Sequence, residues 1–99
     1  MNERNNPKLR EELATSFGDA LLFADSFDSA IIGVSIGCDS ERVIYDTEKM
    51  AEILVTFDDM TEQEAWEFLE FNTFNAYVGE HTPIYLSTIQ EYVSVQIQN

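Results

Sequence analysis

Residues 60–83, MTEQEAWEFLEFNTFNAYVGEHTP, hold the strongest helix signal of the chain, its single tryptophan and its single histidine. Thr61 is followed three residues later by Glu64, the spacing of a capping box, in which each side chain accepts a hydrogen bond from the other residue's backbone amide. Negative charge in the first turn also suits the helix dipole. We therefore predict a helix that begins after Thr61 and ends near Phe74, with Asn75 in the left-handed conformation that can follow a helix.

This predicted helix has an apolar side and an acidic side. Ala65, Phe68 and Leu69 recur on one side at helical spacing, whereas glutamates dominate the other. Phe71 would lie on the acidic side of a straight helix, which favours an early end. A helix that continues to Gly79 is the weaker alternative.

The chain before this helix contains one clear helix signal and one ambiguous segment. Asn6 followed by proline is typical of a helix start, and leucine and phenylalanine then recur at fourfold spacing, so we predict a helix over residues 7–17. Residues 19–29 fit either a short helix or a loop that buries Phe23 and Phe27.

Residues 30–36 and 42–45 are apolar and β-branched segments separated by turn residues, which predicts an antiparallel hairpin. Gly33 inside the first segment indicates a bulge or a close backbone approach. Asp46 or Thr47 can then cap a second helix that ends at two consecutive aspartates.

Two further strands are predicted after Gly79. Residues 83–86 form the first. Residues 92–98, YVSVQIQ, alternate apolar and polar side chains from Tyr92 through to Gln98, as in a half-buried edge strand. An exposed edge can pair with another chain, so this strand is a candidate seam for a homo-oligomer. Pairing within its own sheet is the alternative.

These elements predict an α+β fold, in which two or three helices pack on one face of a small, mainly antiparallel sheet. Residues 1–99 would form a single domain, with residues 1–6 flexible. We expect the core to contain Ile31, Ile32, Val34, Val43, Tyr45, Met50, Ile53, Leu54, Phe57, Ala65, Phe68, Leu69 and Ile84.

The net charge of −14 comes from nineteen acidic and five basic residues and limits the possible partners. Nucleic-acid phosphates and anionic membranes attract basic surfaces, so we expect neither partner. With one cysteine, Cys38, no intrachain disulfide forms. The sequence has no apolar run that could span a membrane, and its beginning lacks the apolar centre of a signal peptide. We therefore expect a cytoplasmic protein.

Four segments resemble a family of small proteins encoded by bacteriophages and prophages. They are FDSAIIGV at 27–34, VIYDTEKMAEIL at 43–54, DMTEQEAWEFLEFN at 59–72 and AYVGEHTPIYL at 76–86. Their order and spacing follow the family, which often has glycine at the position of Asn75. The resemblance implies a phage-associated accessory protein, from a family with no established enzymatic activity, and it favours host takeover or inhibition of a host defence system.

The acidic residues around the helix of residues 60–83 are the leading candidate site. Carboxylates on successive helical turns lie about 5.4 Å apart, close to the spacing of phosphates along a nucleic-acid strand. We predict that they contact a basic, nucleic-acid-binding site of a host protein, with aromatic anchors and without a cofactor. The candidate residues are Asp58, Asp59, Glu62, Glu64, Glu67 and Glu70, with the aromatic anchors Trp66, Phe71 and Phe74.

Other functions remain open at the level of sequence. An oligomer could sequester a small signalling molecule, with Arg42 as the cation for an anionic nucleotide. A metal-dependent enzyme could gather carboxylates on a divalent cation. Its ligands would be Asp28, Asp46, Glu70 and Glu80, with Asn72. His81 beside Glu80 could serve acid–base chemistry, although an exposed loop histidine is the commoner case.

Overall fold

A computed structural model describes residues 3–37 and 40–88. In these residues the chain forms, in order, α1 (Pro7–Phe17), a short 3₁₀ turn (Asp28–Ala30), β1 (Ile31–Val34), β2 (Val43–Asp46), α2 (Thr47–Asp58), α3 (Glu62–Asn72) and β3 (Ile84–Leu86). Three helices and a three-stranded sheet confirm the predicted α+β class. The predicted strand over residues 92–98 lies outside the described residues.

The sheet is mixed, with β2 between β1 and β3. β1 and β2 form the predicted antiparallel hairpin, whereas β3 runs parallel to β2. A parallel pair requires a long crossover, and α2 and α3 supply it between the two strands. The register shifts between Ile31 and Gly33, which confirms the predicted bulge.

Side chains cap the helices at the predicted positions. The side chain of Asn6 accepts a hydrogen bond from the amide of Leu9 at 3.1 Å. Asp46, rather than Thr47, caps α2. Its carboxylate accepts hydrogen bonds from the backbone amides of Glu48 and Lys49. These contacts satisfy donors that a helix N-terminus leaves without intrahelical partners.

The predicted end of α3 was wrong in one respect. Asn75 is not left-handed, because Ser26 and Asp59 are the non-glycine residues with positive φ in the described part of the chain. The amides of Thr73 and Phe74 both donate to the carbonyl of Leu69, and the side-chain amide of Asn75 donates to that of Glu70. The last turn is therefore satisfied without a left-handed residue.

Eleven hydrophobic side chains form the buried core of the described residues. They are Leu21, Phe27, Ala30, Val43, Tyr45, Met50, Ala51, Ile53, Leu54, Ala65 and Leu69. Seven of these were predicted, whereas Ile31, Val34 and Ile84 are only half-buried. Residues 19–29 form no α-helix, and Phe27 within them is buried, so the loop alternative for this segment is confirmed.

Three predicted core residues are exposed instead. Ile32 is the additional residue of the β1 bulge and is 45% exposed. The guanidinium of Arg4 covers the ring of Phe57, with Cζ of Arg4 5.3 Å from the centre of that ring. Phe68 is at the border of the buried stripe of α3 and is 37% exposed. Helical or strand spacing alone does not distinguish such border positions from central ones.

Two buried polar contacts fix the loop before β1. Asp28 is 2% exposed and accepts hydrogen bonds from the amide of Asn6 at 2.7 Å and from Nε of Arg10 at 2.8 Å. The hydroxyl of Tyr45 accepts from the amide of Ala24 at 2.7 Å. Burial raises the pKa of Tyr45 to about 12, so the hydroxyl keeps its proton.

Candidate protein-binding surface

The corner between α2 and α3 presents the acidic residues. Asp59 ends α2 in the left-handed conformation with a φ of 58°. Its amide and that of Met60 both donate to the carbonyl of Leu54. Asn and Asp tolerate this conformation better than most residues. The short connection makes α2 and α3 neighbours, as the sequence predicts.

The capping box at the start of α3 is confirmed. The amide of Glu64 donates to the hydroxyl of Thr61 at 3.1 Å, and the amide of Thr61 donates to the carboxylate of Glu64 at 2.9 Å. The carboxylate of Glu64 is therefore held in a defined orientation at the helix N-terminus, and it remains exposed to solvent.

A shallow depression of about 600 Å³ lies along this corner, and we name it the acidic groove. Its lining consists of Asp58, Asp59, Met60, Glu64, Glu67, Phe68, Phe71 and Asn72. Four of the six predicted carboxylates therefore share one surface with two aromatic rings. The structure does not bring the other two there: Glu62 lines a separate depression between α2 and α3 with Trp66, and Glu70 lies outside both.

The three predicted aromatic anchors differ in their exposure. Phe71 is 89% exposed at the acidic groove. Trp66 and Phe74 are half-buried, and their ring centres lie 6.4 Å apart. Phe74 also packs against Tyr85 at 5.2 Å. Phe71 is thus the accessible anchor of the three. Phe68, which sequence reasoning assigned to the core, is the second ring of the groove, three residues earlier on the same helix.

Asp58 differs from the other acids of the groove because it is ion-paired. Both of its carboxylate oxygens accept from Arg4, at 2.8 and 3.1 Å. The hydrogen bonds from Arg4 hold the pKa of Asp58 below its ordinary value. Within the described residues Asp59, Glu64 and Glu67 form no ion pair, so their charges face solvent.

The pair of Arg4 and Asp58 gives a pH-dependent prediction. Because folding lowers the pKa of Asp58, its ion pair with Arg4 stabilises the folded protein fully at pH values above the unfolded pKa of about 3.9. This stabilisation is lost as the pH falls through the pKa of Asp58 in the folded protein. Asp58→Asn should lower the free energy of unfolding by about 0.5 kcal/mol at neutral pH, since the pair is half-exposed. Urea unfolding should give equal stabilities for variant and wild type near pH 2; a difference that persists there would contradict this assignment.

The residues of the proposed metal site are dispersed. Asp28 is buried against Arg10, Asp46 caps α2, and Glu80 accepts a hydrogen bond from Ser40 at 3.0 Å. Among residues 3–37 and 40–88, no three His, Cys, Asp or Glu side chains lie close enough together to hold a metal ion.

His81 lies in the turn before β3, where it is half-buried. Its Nδ1 is 2.8 Å from the carbonyl oxygen of Glu41, so the ring joins this turn to the segment that leads into β2. This contact gives His81 a positioning role in the loop. Cys38, the single cysteine, lies outside the described residues.

Comparisons with protein-family models, with curated proteins and with solved structures give no match to this chain. The phage resemblance therefore stays an expectation from the sequence motifs. In the part of the chain that the structure describes, no helix combines the length and the apolar character needed to cross a bilayer.

Proposed function

We propose that this chain is an acidic accessory protein of phage type that binds a basic site of a host protein and inhibits it. The observation that carries the proposal is the acidic groove, where three carboxylates without an ion pair, those of Asp59, Glu64 and Glu67, share one surface with the exposed rings of Phe68 and Phe71. A surface of this composition attracts a partner electrostatically and offers it an apolar contact. The overall charge of −14 adds to the attraction.

The groove resembles a short row of phosphates in its chemistry. Glu64 and Glu67 are three residues apart on α3, so their Cβ atoms lie about 5 Å apart on neighbouring turns of the helix. Asp59, at the corner between the two helices, lines the same groove. A host protein that binds nucleic acid, such as a defence factor, has the cationic surface that would accept this row.

A groove-neutral variant tests the proposal without disturbing the fold. It combines Asp59→Asn, Glu64→Gln and Glu67→Gln. Asn tolerates the left-handed conformation of residue 59, and Gln at residue 64 preserves the capping box. The wild-type protein is immobilised, a bacterial lysate is passed over it at low salt, and the retained nucleic-acid-binding protein is identified. We expect the groove-neutral variant to retain it with about tenfold lower affinity.

The matched control removes the same number of charges elsewhere. Glu11→Gln, Glu12→Gln and Asp19→Asn change exposed residues of α1 and of the turn after it. This control should bind almost as well as the wild type. An equal loss of affinity in the two variants would mean that the net charge alone, and not the acidic groove, determines binding. An unchanged affinity in the groove-neutral variant would exclude the acidic groove as the binding surface.

A further inference from the structure

A further depression, of about 910 Å³, lies beside β3, and we name it the aromatic groove. Its walls include the rings of Trp66, Phe74, Tyr77 and Tyr85, together with Arg42. Trp66, Phe74 and Tyr85 form a continuous series, with centres 6.4 and 5.2 Å apart. Depressions of this volume and composition are typical of sites for small molecules.

Hydrogen bonds from its backbone and from its Nε atom hold Arg42 in place at this groove. Its amide donates to the hydroxyl of Ser35 at 3.0 Å, and its carbonyl accepts from the amide of Ser35 at 2.8 Å. Nε donates to the carbonyl of Thr82. This last contact orients the guanidinium between the hairpin and the turn that precedes β3.

The charge of Arg42 is not matched by an acid of the described residues. Arg4 pairs with Asp58, and Arg10 pairs with Asp25 and Asp28, yet no carboxylate lies within ion-pair distance of Arg42. The terminal nitrogens of Arg42 likewise have no hydrogen-bond acceptor in residues 3–37 and 40–88. A half-buried arginine without an internal counter-ion is unexpected in a chain with nineteen acidic residues.

We propose that the aromatic groove binds a nucleoside monophosphate, with the phosphate at Arg42 and the base against the aromatic walls. The planar guanidinium donates two parallel hydrogen bonds to a phosphate, and every nucleobase has a face that stacks on aromatic rings. Thr47, Asn75 and Ser87 also line the groove and supply polar groups for a ribose. This site is separate from the acidic groove and does not depend on the proposed inhibition.

Trp66 gives a direct readout, because it is the only tryptophan and it lines the groove. Its fluorescence is followed while AMP, GMP, CMP and UMP are added, with the parent nucleosides and inorganic phosphate as separate probes. Calorimetry provides the affinities. We expect at least one monophosphate to quench Trp66 and to bind about tenfold or more tightly than its nucleoside, because a charge-assisted hydrogen bond is lost without the phosphate.

Arg42→Gln should remove this preference for the phosphate, so that nucleotide and nucleoside bind equally weakly. Lys8→Gln is the control, since it removes one positive charge from exposed α1, and it should keep the preference. Circular dichroism checks that each variant is folded. If Arg42→Gln is not folded, Tyr77→Ala replaces it as the test, because Tyr77 is 78% exposed and outside the core. Tyr77→Ala should weaken nucleotide and nucleoside several-fold alike.

Three results would overturn the proposal. The first is that no monophosphate binds to the wild-type protein. The second is that nucleotide and nucleoside bind with the same affinity. The third is that the phosphate preference survives in folded Arg42→Gln or, where Tyr77→Ala is used, that this variant binds both probes like the wild type.

Discussion

Asp28→Ala is expected to lower the free energy of unfolding by about 3 kcal/mol, the largest stability effect that we predict for a single polar side chain. Asp28 is 2% exposed, and its carboxylate accepts hydrogen bonds from the amide of Asn6 and from Nε of Arg10. Alanine would leave that amide without its acceptor and the partly buried guanidinium without its closest counter-ion. This loss of stability is at the lower end of the range for breaking a buried ion pair, because the side chain of Arg10 is still 29% exposed.

Asp25→Ala is the matched control for this measurement. Asp25 also pairs with Arg10, at 3.3 Å, but its side chain is 92% exposed. Its removal should cost less than about 1 kcal/mol. Urea unfolding of the two variants compares a buried and an exposed partner of the same arginine. Asp28→Asn, which retains an acceptor for the amide of Asn6, is expected between them, and equal losses for Asp25→Ala and Asp28→Ala would contradict the assigned role of burial.

Phe71→Ala is expected to weaken binding to the captured host protein by about thirtyfold, the largest effect of one substitution on the proposed function. Phe71 is 89% exposed, so it contributes little to the fold, yet it stands among the carboxylates of the acidic groove. A desolvated aromatic anchor at the centre of an interface contributes about 2 kcal/mol or more. The free energy of unfolding should change by less than about 0.5 kcal/mol, and calorimetry with urea unfolding separates the two effects.

Tyr77→Ala is the control for Phe71→Ala, since both rings are exposed and they lie at different grooves. It should leave the affinity for the host protein unchanged. A loss with Tyr77→Ala and none with Phe71→Ala would place the interface at the aromatic groove instead. The pair therefore distinguishes the two surfaces with substitutions of similar size.

Features that depend on neighbours in sequence were predicted well. The capping box of Thr61 and Glu64, the cap at Asn6 and the bulge at Gly33 all follow from residues that act within one turn or one strand pair. Just after the end of α3, the ring of Phe74 packs against Tyr85 of β3. No local pattern contains that contact, and the left-handed Asn75 was therefore predicted wrongly.

The acidic groove was predictable only in its composition. The sequence pattern identified the acidic helix face, but the packing of α3 against α2 decides that Glu64 lines the acidic groove and Glu62 lines the separate depression with Trp66. The pairing of Asp28 with Arg10 joins residues eighteen positions apart, so it was also missed. Arg42 was identified as the central cation by elimination, whereas its lack of an internal counter-ion required coordinates.

The most direct test of the proposed function is the affinity for the captured host protein as a function of salt concentration. For the wild-type protein, the logarithm of the affinity should fall steeply as salt rises, because exposed carboxylates attract the partner through a screened field. The groove-neutral variant should give a weaker affinity and a clearly shallower slope, whereas the control with Glu11, Glu12 and Asp19 replaced should follow the wild type. Identical slopes for all three proteins, or an affinity that does not respond to salt, would contradict electrostatic binding through the acidic groove.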